Sequence, residues 1–210
     1  MTAEFEALER AAGSVSRETF ERLLGLRDLF LKWAKAINLV APSTLNDVWD
    51  RHVVDSAQLI RHASIERDWV DLGSGGGFPG LVVAVFLKER EGGHIDLVES
   101  NSKKAAFLQT AARTLQLPVR VHVRRIEDAA TSLPSPQIIT ARALAPLRDL
   151  LALAEPLFSD YTRGLFHKGR EYRRELAESS DEWTFDLVEH PSVVERDSVI
   201  LDISNLRRRK

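Results

Sequence analysis

At 210 residues the chain has room for one domain with a sizeable core, and 44% hydrophobic with 29% charged residues is the composition of a soluble globular protein. No apolar run approaches the ~18 to 20 residues that span a bilayer, the acidic N-terminus carries no signal-peptide pattern, and the absence of cysteine excludes disulfides, cysteine zinc ligands and a cysteine nucleophile. A net charge of −2 confines any nucleic-acid contact to a local basic patch. The expectation is a cytoplasmic monomer with no membrane partner.

Residues 16 to 37 read as an amphipathic helix. Ser16 can cap it, and Phe20, Leu23, Leu24, Phe30, Trp33, Ala34 and Ile37 recur at helical spacing. Asn38 to Pro42 breaks the pattern. A second helix is expected from about Asn46 to Ile60. Within it, Arg51 and Asp55 are four apart and can pair across one turn. A strand over Trp69–Leu72 then runs into Gly73-Ser74-Gly75-Gly76-Gly77-Phe78-Pro79-Gly80, and an apolar helix follows to about Glu91. Such a strand, glycine loop and helix bring a ligand close to the main chain and to a helix N-terminus.

Gly75, Gly77 and Gly80 allow a dinucleotide fingerprint. Asp71-x-Gly73-x-Gly75-x-Gly77 instead resembles the first motif of S-adenosylmethionine (SAM) methyltransferases. Asp71 favours the second reading: a carboxylate beside the loop repels a pyrophosphate, whereas SAM carries a sulfonium and an ammonium.

His94 to Glu99 is a second strand. Its terminal acid, Glu99, is placed for a ribose diol, a feature that NAD and SAM sites share. A helix over Lys103–Leu117 leads to a third strand, Val119 to Val123. Ile126-Glu127-Asp128 then falls where an adenine lies in this architecture. Gln137 to Ala141 is strand four, running into Arg142-Ala143-Leu144, and Pro146 to Phe158 is a helix. Gly164 to Gly169 is strand five, and Arg170 to Ser179 a charged helix. Thr184–Glu189 and Val199–Ile203 close the sheet as a hairpin, and Arg207 to Lys210 reads as a frayed basic end. The expected fold is α/β: a Rossmann-like, seven-stranded, mostly parallel methyltransferase sheet over 66–210, with an N-terminal helical extension over 1–65, together one domain.

Methyl transfer from a sulfonium is an in-line displacement, so the protein chiefly positions the acceptor. The loop after strand four lacks the Asn/Asp-Pro-Pro-aromatic pattern of amine methylation, and Arg142 suits an electron-rich acceptor. Guanine N7 fits, having a lone pair and no proton to remove. A carboxylate, phosphate or small heterocycle fits an Arg-lined pocket as well. Arg51, His52, Arg142 and Lys168 are candidate RNA-facing groups, with further basic density at Lys103, Lys104, Arg124, Arg125, Arg170, Arg173 and Arg174. His52 is also read as a structural hydrogen-bonding residue.

The chain is similar to the bacterial GidB/RsmG family. The residues that carry the likeness are Lys32 to Val40, Arg51-His52-Val53-Val54-Asp55-Ser56, Asp71 to Gly80, Ala141-Arg142-Ala143, His167-Lys168-Gly169 and a closing Glu195-Arg196 strand. The resemblance implies SAM-dependent methylation of N7 of one guanine in 16S ribosomal RNA, near the decoding site, with S-adenosylhomocysteine as product and no metal. The substrate would be that RNA, the small subunit or an assembly intermediate. It places cofactor contacts at Gly73, Phe78, Ile126, Glu127 and Arg142. Asp71, Gly75, Gly77 and Glu99 join them from the motif reading. It places the RNA side at Asn38, Arg51, His52, Asp55 and Lys168, with Arg142, Lys168 and His52 as the catalytic candidates. Three positions depart from the family pattern: Gly76 replaces a common Pro, Phe78 a common Leu, and His167 a common apolar residue. A small-molecule methyltransferase acting on an anionic or heterocyclic acceptor is the alternative.

Overall fold

The computed structural model describes residues 2–39 and 47–209. Strands β1 (Asp68–Leu72), β2 (His94–Val98), β3 (Val119–His122), β4 (Ile138–Arg142) and β5 (Arg163–Lys168) are parallel. β6 (Trp183–Pro191) and β7 (Val199–Arg208) form the hairpin, and β7 is antiparallel to β5. The order in the sheet is β3-β2-β1-β4-β5-β7-β6. The chain therefore leaves β1 towards β2 and β3, then returns to β1's other side with β4. That reversal opens a crevice beyond the carboxyl ends of β1 and β4.

Alternate residues of the central strands feed two cores. Trp69, Ile95, Leu97 and Ile138 belong to one, while Val70, Leu72, Val98, Ile139 and Ala141 belong to the other. Both faces are covered, so these strands read as nearly continuous apolar runs. On the first face lies α5 (Gly80–Leu87), all eight residues of which are buried. Around it pack α1 (Ala3–Ala12), α2 (Arg17–Ala34) and α6 (Ser102–Thr114). The second face is covered by α7 (Ile126–Ala130), α8 (Leu147–Ala154) and, more loosely, α9 (Tyr172–Ser179).

Four features depart from the sequence expectation. The segment before Ser16 forms α1, capped by the Thr2 hydroxyl accepting from the Phe5 amide. Its buried face is small (Leu8, Ala11 and Ala12), so tertiary contacts sustain it. Phe5 meets Phe20 edge-on at 5.1 Å, and the Trp49 indole donates to the Glu4 carbonyl. The second helix is not one α-helix. It is a π-helical turn over Trp49–Val54, followed by α3 (Asp55–Ala57) and α4 (Leu59–His62). Its expected start at Asn46, and the break over residues 40–42, lie outside the described residues. Glu195 and Arg196 sit in the turn between β6 and β7 rather than in a strand. The basic end is not frayed over 207–209. Arg207 and Arg208 finish β7, where Arg207 pairs with Asp160 and Arg208 lies over the Trp183 ring. Lys210 lies outside the described residues.

Phe30 joins the N-terminal helices to the glycine loop. Its buried ring lies 5.0 Å from Phe78, 6.0 Å from Phe107 and 6.4 Å from His52. Phe30→Ala is therefore expected to cost about 3–5 kcal/mol of stability in a urea titration, the usual range for an aromatic-to-alanine core truncation. A change below about 1 kcal/mol would show that the helices are not anchored there.

Candidate functional site

The crevice holds a cavity of about 500 Å³, a size suited to a nucleoside-bearing ligand. Gly73, Ser74, Gly75, Gly76 and Phe78 form its floor, Val98 and Glu99 one wall, Ile126 and Glu127 another, and His52, Arg142 and Leu144 the inner end. Positive φ angles of 67° at Gly73 and 53° at Gly75 turn the loop back beneath the ligand space. A Cβ on Gly73 would also meet Leu144 Cδ1 at 2.6 Å.

Three of the loop amides are already engaged. Ser74 N–H donates to the Val98 carbonyl, Gly77 N–H to the Ser74 carbonyl, and Gly75 N–H to Glu99 Oε2 at 2.8 Å. Glu99 Oε1 also accepts from the Asn101 amide at 2.6 Å. A pyrophosphate would need those amides free and would meet a carboxylate in their place. The carboxylate acceptor at Glu99 fits a ribose diol, whose hydroxyls donate.

Asp71 and Gly77 do not line the cavity. Strand alternation turns Asp71 to the α5 side, beneath the loop, where it is buried against Gly80. Neither of its carboxylate oxygens has a hydrogen-bond partner among the described residues. Burial pushes its pKa up to about 7, and the Ser74 hydroxyl donates to the Asp71 main-chain carbonyl rather than to the carboxylate. A Cβ on Gly77 would meet Leu81 and Leu108, so that glycine serves the packing of α5 and α6.

A second cavity of about 430 Å³ abuts the first across Arg142, Ala143 and Leu144. Its other walls include Asp55, His167, Lys168, Glu175 and Glu195. Ala143 holds a φ of 52° on the shared wall, a left-handed conformation that a non-glycine residue adopts at some cost. Arg142 stands between the two spaces. Its Nη2 donates to the Arg51 carbonyl at 2.7 Å and lies 3.0 Å from His52 Nδ1, and its Nη1 is 3.3 Å from Asp55 Oδ2. Asp55 thus turns to Arg142, and the i, i+4 pair with Arg51 does not form. The Arg51 carbonyl accepts from Arg142, and His167 Nε2 donates to the Asp55 carbonyl at 3.0 Å. Burial lowers the Arg142 pKa while Asp55 holds it up. Arg51 is exposed and contributes its carbonyl rather than its charge. Asn38 is exposed and lines neither cavity.

Lys168 is nearly buried, and its Nζ donates to Glu175 Oε2 and to the Ala145 carbonyl, both at 2.7 Å. Glu175 Oε2 also accepts from the Leu147 amide. The lysine therefore ties the loop after β4 to α9. Sequence reasoning missed Glu175, which looks like part of a solvated helix face, and Leu39, which lines the first cavity next to Asn38.

His52 stacks on Phe78 at 5.1 Å. Because Arg142 donates to Nδ1, the ring proton sits on Nε2 of a neutral imidazole. Burial, reinforced by the Arg142 guanidinium, lowers the pKa from 6.5 to about 4. The unfolded chain then binds more protons than the folded one between those values, so stability falls as pH drops from 6.5 towards 4. The His52 contribution is at most about 1.4 kcal/mol per pH unit. Burial and His190 lower His62 similarly. The difference between the native chain and His52→Gln in urea midpoints at pH 7, 6 and 5 isolates His52. Parallel pH profiles would contradict a neutral buried ring.

The family model described as GidB, rRNA small subunit methyltransferase G, matches residues 19–202. Curated relatives named ribosomal RNA small subunit methyltransferase G, from Brucella canis and Brucella suis, are each 58% identical, over 98% of this chain and 96% of theirs. Solved structures share the fold at low identity. A ribosomal protein L11 methylase from Lactobacillus delbrueckii aligns with TM-score 0.56 at 14% identity, covering 73% of this chain and 78% of that one. A mutant of MtNAS in complex with S-adenosylmethionine aligns with TM-score 0.53 at 16% identity, over 96% of this chain and 71% of that one. The chain belongs to the GidB family of small-subunit rRNA methyltransferases.

Proposed function

We propose that the chain transfers the methyl group of SAM to N7 of a guanine in 16S ribosomal RNA, leaving S-adenosylhomocysteine. The observation that carries this reading, beside family membership, is the pair of abutting cavities separated by Arg142, Ala143 and Leu144. One cavity suits the cofactor, and the other is the right size and place for a purine turned out of its stack. When bound, SAM supplies an electrophilic methyl group on a sulfonium.

The chain's residues do the rest by placement. Glu99 braces the glycine loop and offers its remaining lone pairs to a ribose diol. Ile126 and Val98 supply apolar surface for an adenine. Arg142 faces the acceptor as a donor suited to the guanine O6 beside N7. No residue needs to remove a proton, because N7 carries a lone pair. That agrees with His52, whose one free lone pair, on Nδ1, already accepts from Arg142. Lys168 acts by holding the loop through Ala145 and Glu175. Asn38 and Arg51, on the exposed N-terminal side, are placed for RNA outside the cavities.

The direct test supplies labelled SAM, the protein and small ribosomal subunits from cells lacking the enzyme, followed by nucleoside analysis of the RNA. One stoichiometric 7-methylguanosine is expected. SAM bound without label in RNA would move the assignment to a small anionic or heterocyclic acceptor. Arg142→Ala should lower kcat/KM about 10²-fold, the usual consequence of losing one preorganised donor. Arg207→Ala should match the native chain, since Arg207 sits at the opposite edge of the sheet, near the Trp183–Arg208 end of the hairpin. Equal losses would place the pocket elsewhere.

A further inference from the structure

The mouth of the first cavity carries positive charge that a SAM site does not need. Lys104, Arg124 and Arg125 line it, and Arg124 and Arg125 are exposed. Among the described residues none of the three forms an ion pair, whereas other surface arginines do: Arg17 with Glu21, Arg174 with Glu178, Arg207 with Asp160. Glu127 is the exposed carboxylate on the same rim.

Arg124 is also built into place. Its Nη1 donates to Ser132 Oγ at 3.0 Å, and its Nη2 lies 3.1 Å from His122 Nδ1. His122 Nε2 in turn lies 2.6 Å from Asp96 Oδ1, and Asp96 is buried. Donation from Arg124 leaves the His122 proton on Nε2, facing Asp96. A buried carboxylate thus orients an imidazole that orients a guanidinium at the cavity mouth.

The cofactor does not explain this arrangement. SAM carries a sulfonium, an ammonium and one carboxylate, a net charge of +1, and its adenosine half has no anionic group. Three cations at the adenosine end repel it. They suit a polyanion lying across the opening.

We propose that RNA phosphates cross the mouth of the cofactor cavity on Lys104, Arg124 and Arg125, so that bound RNA covers the cofactor. This rests on the reading of the site as an RNA methyltransferase. Its consequence is an order of events: SAM enters before the RNA, and S-adenosylhomocysteine leaves after it.

The experiment compares the native protein with K104Q/R124Q/R125Q, using methyl-deficient small subunits. Three quantities are read: the salt dependence of subunit binding, SAM affinity without RNA, and release of S-adenosylhomocysteine with and without subunits. Loss of three phosphate contacts should make the log–log salt slope shallower by about 2. SAM affinity alone should stay within about twofold or tighten as repulsion is removed. Subunits should slow product release at least about tenfold in the native protein and not in the variant, as physical covering requires. An unchanged salt slope or unchanged trapping would overturn the proposal. Weaker SAM binding without RNA would also overturn it, by assigning the rim to the cofactor. If the native protein fails to methylate subunits, the functional reading fails and takes this proposal with it, a result distinct from native turnover with a silent variant. Should the triple variant not fold, K104Q/R125Q leaves the Asp96–His122–Arg124 chain intact and should show a slope change of about 1.4.

Discussion

The guanidinium of Arg142 is where the two halves of the molecule meet over the site. It leaves the end of β4 on the shared wall of both cavities and is held from the other side by the Arg51 carbonyl, His52 and Asp55. Three of its neighbours thus come from one turn of the N-terminal helical segment. A buried cation without such partners would be costly, and with them it is fixed to one geometry. The position of the N-terminal helices and that of the charged group between the two cavities are therefore one constraint. Phe30 and Phe78 extend it: the helix that seats His52 also seats the ring on which His52 stacks.

The glycine loop has a second, independent logic. Three of its amides, those of Ser74, Gly75 and Gly77, are taken by Val98, Glu99 and Ser74, so they are not free to form a nest of donors for a phosphate. A loop of similar composition in a phosphate site does the reverse. An acid after β2 is common to both kinds of site; here Glu99 also accepts from the Gly75 amide, which a phosphate would otherwise take.

Much of this was legible in the sequence because periodicity and punctuation are local. Apolar runs ended by glycine gave the β–α alternation, and acids at strand ends located Glu99. The motif spacing puts Asp71 against the cofactor, but strand alternation points it to the α5 side, because spacing does not reveal which face a residue takes. Helix α1 was missed because Leu8, Ala11 and Ala12 make too small an apolar stripe to register without its tertiary partners. The π turn leaves no local signature in the sequence, and neither does the pairing of Asp55 with Arg142, which is far along the chain, instead of with Arg51. The basic C-terminal run looked like a tail because its partners, Asp160, Glu182 and Trp183, are distant in sequence. Lys168 was found but its partner Glu175 was not, since a glutamate on a charged helix looks solvated until the fold brings it to a buried lysine.

Charge placement ties the two cavities to the proposed reaction. Methylation at N7 turns a neutral purine into a cation, so positive charge moves from the first cavity to the second as the methyl group passes. A site ending on a bare arginine would oppose that step. Asp55 lies against Arg142, Glu175 against Lys168, and Glu195 on the same wall adds a further carboxylate. The acceptor cavity therefore offers donors to O6 without presenting net positive charge to a ring that is becoming positive. Because these groups are held by packing and hydrogen bonds before any ligand arrives, the stabilisation requires little reorganisation at the moment of transfer.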